Sequence, residues 1–216
     1  MPLPRPILLA STLGLALFTT ACGDISKPKD VQALSDNKPK PKPEPPEPAE
    51  AVAALERSIE LEAQGQLDAA VEAARAAVAA GGQRSAKLQG AKLAILTESY
   101  DEAEALLTEL IEADANDADA HYNLGLVAHH HNRYNKARSS YLAALRARED
   151  YPEARYNLAV LTWRRNVVEE ARHHVERFAE RWPNDPRTPE LVAMLSGNPP
   201  GPNAKPVEDS GAPQAP

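Results

Sequence analysis

The chain has 216 residues, 43% of them hydrophobic but only 5% aromatic, with a net charge of −7. That charge sets aside nucleic acid as a main ligand, because phosphate binding needs a basic face. A single cysteine, Cys22, rules out an internal disulfide. Twenty prolines crowd residues 2–6, 28–48 and 183–216 and leave a long interior interrupted only by Pro152. A helical domain fits there, since proline inside a helix costs about 3 kcal/mol.

In chain order, residues 1–21 read as a signal peptide. Arg5 is followed by an apolar run from Ile7 to Phe18 and by the small residues Thr19, Thr20 and Ala21. The run falls short of the about 20 residues a membrane span needs, and its flanks fit a signal peptide. The segment Thr19-Thr20-Ala21-Cys22 resembles a bacterial lipobox, which implies acylation of Cys22. The departure is Thr19, where leucine is usual. Gly23 follows the cysteine instead of aspartate, which by the same resemblance implies sorting to the outer membrane. The competing readings are a plain secreted protein cleaved near Ala21 and a transmembrane anchor. From 22 to 50 runs a linker. Its stretch Lys38–Pro48, KPKPKPEPPEP, favours polyproline II and extends at about 3.1 Å per residue. It reads as a spacer, or else as a docking strip.

The interior repeats itself at one constant step. Ala103, Ala137 and Ala171 are evenly spaced, and the same step separates Tyr100, Tyr134 and Val168, and again Leu107, Tyr141 and Val175. His121-Tyr122-Asn123-Leu124-Gly125 is echoed one step later by Arg155-Tyr156-Asn157-Leu158-Ala159. Phe178 and Pro183 occupy an apolar position and a helix-ending position near the close of the unit. These residues, at a period of about 34 residues, resemble the tetratricopeptide repeat. The resemblance implies an all-α superhelix, an α-solenoid of helix-turn-helix pairs. Repeats are expected at 84–117, 118–151 and 152–185. A divergent one is expected at 51–83, where the step from Ala70 to Ala103 is one position shorter and Arg57-Ser58 replace the usual signature. Residues 186–197, with Leu191 and Leu195 on one face, read as a capping helix. The tail, 198–216, is too poor in apolar side chains to fold.

The same resemblance places the first helix of each pair along a concave groove. The 3.6-residue period puts Ser85, Leu88, Lys92 and Ile95 there in one repeat. In the next come Asp119, Tyr122, Leu126, His129 and His130, and in the last Glu153, Tyr156, Val160, Trp163 and Arg164. Asn123 and Asn157 lie beside them, and repeats of this family use such asparagines to hold a peptide backbone or carboxylate. The expected partner-binding residues are Leu88, Lys92, Tyr122, Asn123, His129, Tyr156, Asn157, Trp163 and Arg164. Aromatic and arginine side chains are typical interface anchors, although Tyr122, Tyr156 and Trp163 also suit packing between repeats.

Catalytic and metal chemistry finds little support. Among His121, His129, His130, His131, His173 and His174 no pair stands three or four apart, so none chelates from one helical face. There is no HExxH, P-loop or G-x-S-x-G motif. The expectation is therefore a chain that is not an enzyme, with no cofactor, no metal and no nucleic-acid partner. The architecture resembles tetratricopeptide lipoproteins of bacterial outer membranes, among them pilotins that assemble pilus secretins and proteins of gliding motility. That implies a lipid-anchored, periplasm-facing scaffold whose groove holds an envelope protein or peptide. The alternative is an adaptor that recruits cell-wall enzymes to peptidoglycan.

Overall fold

The computed structural model describes residues 46–197. The signal peptide, Cys22, most of the linker and the tail lie outside the described residues. Among those described there are helices and no strands. The helices are α1 (Ala49–Ala63), α2 (Leu67–Ala79), α3 (Arg84–Leu96), α4 (Tyr100–Ala113) and α5 (Ala118–His130). They continue with α6 (Tyr134–Ala147), α7 (Pro152–Arg164), α8 (Val168–Arg181) and α9 (Thr188–Ser196). Consecutive helices pack in pairs, and each pair stacks on the next. The described residues form an all-α superhelix of helix-turn-helix units.

Each pair turns at one left-handed residue. Gly65, Glu98, Asn132 and Asn166 have φ of 74°, 58°, 56° and 60°. The amide after each reaches back to a carbonyl of the helix just ended: Gln66 N to Leu61 O, Ser99 N to Ala94 O, Arg133 N to Ala128 O and Val167 N to Thr162 O. This is how a helix satisfies its orphan carbonyls while reversing direction. Glycine and asparagine tolerate the conformation, whereas Glu98 bears its steric cost. Between pairs, Asp117 caps α5, accepting from Asp119 N and Ala120 N at 3.1 and 3.0 Å. The ring of Pro152 sits in the first turn of α7, where its missing N–H is not needed.

The core is built on matched sizes. Ala70, Ala103, Ala137 and Ala171 of the second helices are fully buried, and their small side chains let neighbouring backbones approach. Within each pair a small residue of the first helix meets a larger one of the second. Ala91 shares a core cluster with Leu107, and Ala159 shares one with Val175. Gly125 lies under Tyr141, the largest of the three partners, and a Cβ built on it would come 2.5 Å from the Tyr141 ring. In α1 the small residue is Ser58, also fully buried, whose hydroxyl donates to Ala70 O at 2.9 Å. The larger partner therefore sets whether glycine or alanine stands opposite it.

Candidate functional site: the face of the first helices

Curvature follows from which helices touch. Among the described residues α1 packs on α3, α3 on α5 and α7 on α9, while long side chains bridge the second helices, Arg75 of α2 to Glu102 of α4 and Arg138 of α6 to Glu170 of α8. The first helices thus line the inner side of the superhelix, and their inward positions form the candidate groove.

Most of the expected groove residues are committed to holding neighbouring repeats together. Lys92 is exposed, and its ammonium pairs with Glu62 Oε1 of α1 at 2.7 Å, while Gln89 donates to the other oxygen at 2.6 Å. Burial raises the Glu62 carboxyl, and the bonds from Lys92 and Gln89 outweigh it, so its pKa falls below the ordinary value. Leu88 is half-buried against the cluster of Ala91 and Leu107. Tyr122 packs 5.0 Å from the Tyr151 ring and 6.0 Å from the Tyr141 ring. Its hydroxyl accepts from Asn157 Nδ2 at 3.2 Å, which ties α5 to α7. Asn123 donates to Asp119 O of its own helix at 2.9 Å. The side-chain amides of both asparagines are therefore engaged inside the fold.

His129 meets Tyr134 edge-on at 6.0 Å, and His130 stacks on Tyr100 at 4.9 Å, with Nδ1 3.0 Å from the phenol oxygen. Tyr156 packs on Phe178 and reaches Glu190 of α9 at 3.4 Å. Arg164 is half-buried at the end of α7. Trp163 departs from its expected role. It is only 6% exposed, because an indole at the boundary between groove and core gains more by burial than by facing water. It supports the groove wall and offers a partner almost no surface.

Asp119, on the same face, is a junction of three elements. Its carboxylate accepts from Arg84 Nη2 at 2.7 Å, from Arg148 and from the Tyr151 hydroxyl. Burial raises its carboxyl, and the Arg84 and Arg148 bonds hold it below the usual range. Burial first, and then the Asp119 charge, pushes the Tyr151 phenol up. On the second helices Glu104 accepts from Arg133 and Lys136, and these bonds, the Arg133 one foremost, bring it down to about 2.

More accessible apolar surface lies elsewhere on the inner face. Val52 and Ile59 of α1 are 37% and 51% exposed, and Leu96 at the end of α3 is 53% exposed. Val52 and Ile59 hold in α1 the places that Ser85 and Lys92 hold in α3, and Leu96 holds the place of His130 in α5. All three are in groove register. Arg57-Ser58 hides the kinship of the first pair, so the repeat signature alone marks no groove residue there. The step from Ala70 to Ala103, one short of the later ones, carries the register needed to find them. Among the described residues no group of three or more metal-binding side chains gathers, and no helix is long and apolar enough to cross a membrane.

Comparison with known proteins agrees with this architecture. Residues 88–152 and 131–186 match a family model of the tetratricopeptide repeat. The fold is similar to that of the MamA protein, with 17% identity and a TM-score of 0.59, over 67% of this chain and 80% of that one. It is similar to an O-GlcNAc transferase from Thermobaculum terrenum, with 25% identity and a TM-score of 0.57. That likeness spans 62% of this chain but only 26% of the transferase. It is also similar to YrrB, a tetratricopeptide protein with an unusual peptide-binding site, with 17% identity and a TM-score of 0.53, over 77% and 90% of the two chains. No curated protein shows significant sequence similarity to the chain.

Proposed function

We propose that this protein, whose residues 88–152 and 131–186 match the tetratricopeptide repeat, is a non-catalytic scaffold whose inner face takes a peptide or helix of a partner protein. The observation that carries the reading is the exposed apolar strip of Val52, Ile59 and Leu96 in groove register. Exposed apolar side chains of this size in groove register favour an apolar or amphipathic partner segment. The peptide-binding site named for YrrB supports the same use of the fold. Tyr122, Tyr156, Asn123 and Asn157 then act chiefly by keeping the repeats in register, and His129 and Arg164 flank the ligand.

The proposed setting is the periplasmic face of an outer membrane, with the chain held by lipid on Cys22 and spaced from the bilayer by the proline-rich linker. Thr19-Thr20-Ala21-Cys22 and Gly23 support it. In that setting the scaffold serves an envelope machine such as a pilus secretin or a motility complex. Photo-crosslinkers placed at Ile59, Leu96 and His130 in cells test the binding face, with Arg172 of α8 as an outward control. Capture of one and the same protein from the three inner positions, and not from Arg172, is expected. Equal capture from Arg172 overturns the reading.

A further inference from the structure

The repeat register exposes an inverted charge pair. In α3 and α4, Lys87 Nζ pairs with Glu109 at 2.7 Å. Two repeats later the same two positions carry Arg155 and Arg177. Two cations now face the space that a cation and an anion fill in the earlier repeat. That space is a cavity of about 330 Å³ lined by Glu149, Asp150, Arg155, Arg177, Arg181 and Trp182.

Arg155 is the unusual member. It is 7% exposed, yet no carboxylate of the described residues lies within ion-pair distance of it. It donates from Nη2 to the backbone oxygen of Glu149 at 3.3 Å. Burial, then repulsion from Arg177, lowers its pKa. A buried guanidinium normally has a charged partner, because an ion that leaves water loses its hydration without compensation. The other two arginines hold solvent-exposed pairs: Arg177 with Glu149 at 2.8 Å and with Glu180 at 3.8 Å, and Arg181 with Asp150 at 3.2 Å. Glu149 and Asp150 are 76% and 57% exposed, and water and salt screen pairs of that kind. They are readily given up to a better-placed anion. The indole of Trp182 supplies a flat apolar wall beside the charges.

We propose that this cavity, outside the groove, is a docking site for a carboxylate of a partner peptide, which takes up at Arg155 and Arg177 the place that Glu109 takes opposite Lys87. A carboxylate suits the site better than a phosphate dianion because three acidic side chains, Glu149, Asp150 and Glu180, rim it. The guanidinium forks present paired N–H donors to the two carboxylate oxygens.

The test uses the full-length chain and three peptides, followed through the Trp182 indole and Arg155 Nε–H resonances. One is acetyl-Gly-Gly-Gly with a free C-terminus, one is acetyl-Gly-Glu-Gly amide, and one is acetyl-Gly-Gly-Gly amide as the uncharged control. At least one carboxylate peptide is expected to shift both resonances saturably. Whichever of the two does so identifies a terminal or a side-chain carboxylate. Arg155→Met should weaken binding at least tenfold with its melting transition kept. Glu149→Gln, at an exposed position, should tighten it about threefold by freeing Arg177. A response to the amide control equal to that of the carboxylates, or no saturable response to either carboxylate, overturns the proposal. So does undiminished binding by a folded Arg155→Met. If that variant does not fold, failure of Glu149→Gln to tighten binding is decisive.

Discussion

Gly125→Ala measures how tightly the small-and-large pairing is fitted. A Cβ there would lie 2.5 and 2.6 Å from Tyr141 Cε1 and Cδ1, well inside van der Waals contact. Tyr141 is fully buried, so its ring has no open space to swing into, and α5 and α6 must part. Overpacking costs about 1–3 kcal/mol, and contacts this short against a fully buried ring place it in the upper part of that range, about 2–3 kcal/mol. Alanine returns about 1 kcal/mol through its higher helix propensity, which leaves a net loss of about 1–2 kcal/mol. For a domain of this size that lowers Tm by roughly 3–6 °C. Differential scanning calorimetry of Gly125→Ala reads it directly. The same substitution in a Tyr141→Leu background restores the pairing seen at Ala91 and Leu107, and there alanine should be neutral or stabilising. A Gly125→Ala variant as stable as the wild type, or one equally destabilised in both backgrounds, refutes the size-matching argument.

Three further predictions address other elements. Glu98 has φ of 58° at the position that Gly65 and two asparagines fill elsewhere, so Glu98→Gly should stabilise by about 1 kcal/mol in a denaturant melt, and Gly65→Ala should do the reverse. Burial holds His174 down to about 4, against partial compensation by Glu170. It therefore folds neutral, while the unfolded chain takes up a proton near its ordinary pKa of about 6.5. Stability should be intact above about pH 6.5 and should fall through the window from there to about 4, by on the order of 2–3 kcal/mol. His174→Gln should flatten that slope, and an unchanged slope in this variant contradicts the assignment. Cys22→Ser should abolish incorporation of labelled palmitate and leave an unprocessed precursor; continued labelling removes the lipid anchor from the account.

The helical class was legible because alanines recurring at a fixed step demand repeated close approach of backbones, and nothing but packed helices needs that. The inner face was only partly legible. Register marks which side of a helix a residue occupies, but it does not tell how far a neighbour covers it. Trp163 shares its position with Ile95 and His129, yet it alone of the three is buried. Asn123 and Asn157 are polar and in register, yet their donors go to Asp119 O and to the Tyr122 hydroxyl. The exposed strip of Val52 and Ile59 was missed for the opposite reason. Ser58 stands in for a glycine or alanine by sending its hydroxyl to Ala70 O, so α1 keeps the geometry of the repeat without its residues. The Arg155 and Arg177 pair was written in the same step that links Lys87 and Glu109, but a guanidinium without a carboxylate becomes a signal only when its burial is known.

The claim that the inner face is the binding face is tested most directly by the affinity of the cross-linked partner, once purified, for the wild-type chain and for Ile59→Asp/Leu96→Asp. Both residues are more than half exposed, so the double substitution leaves the core intact. Titration calorimetry should show binding weakened at least tenfold in the double variant and unchanged in Ser139→Asp, on the outer side of α6. Equal affinity of all three proteins would contradict the account.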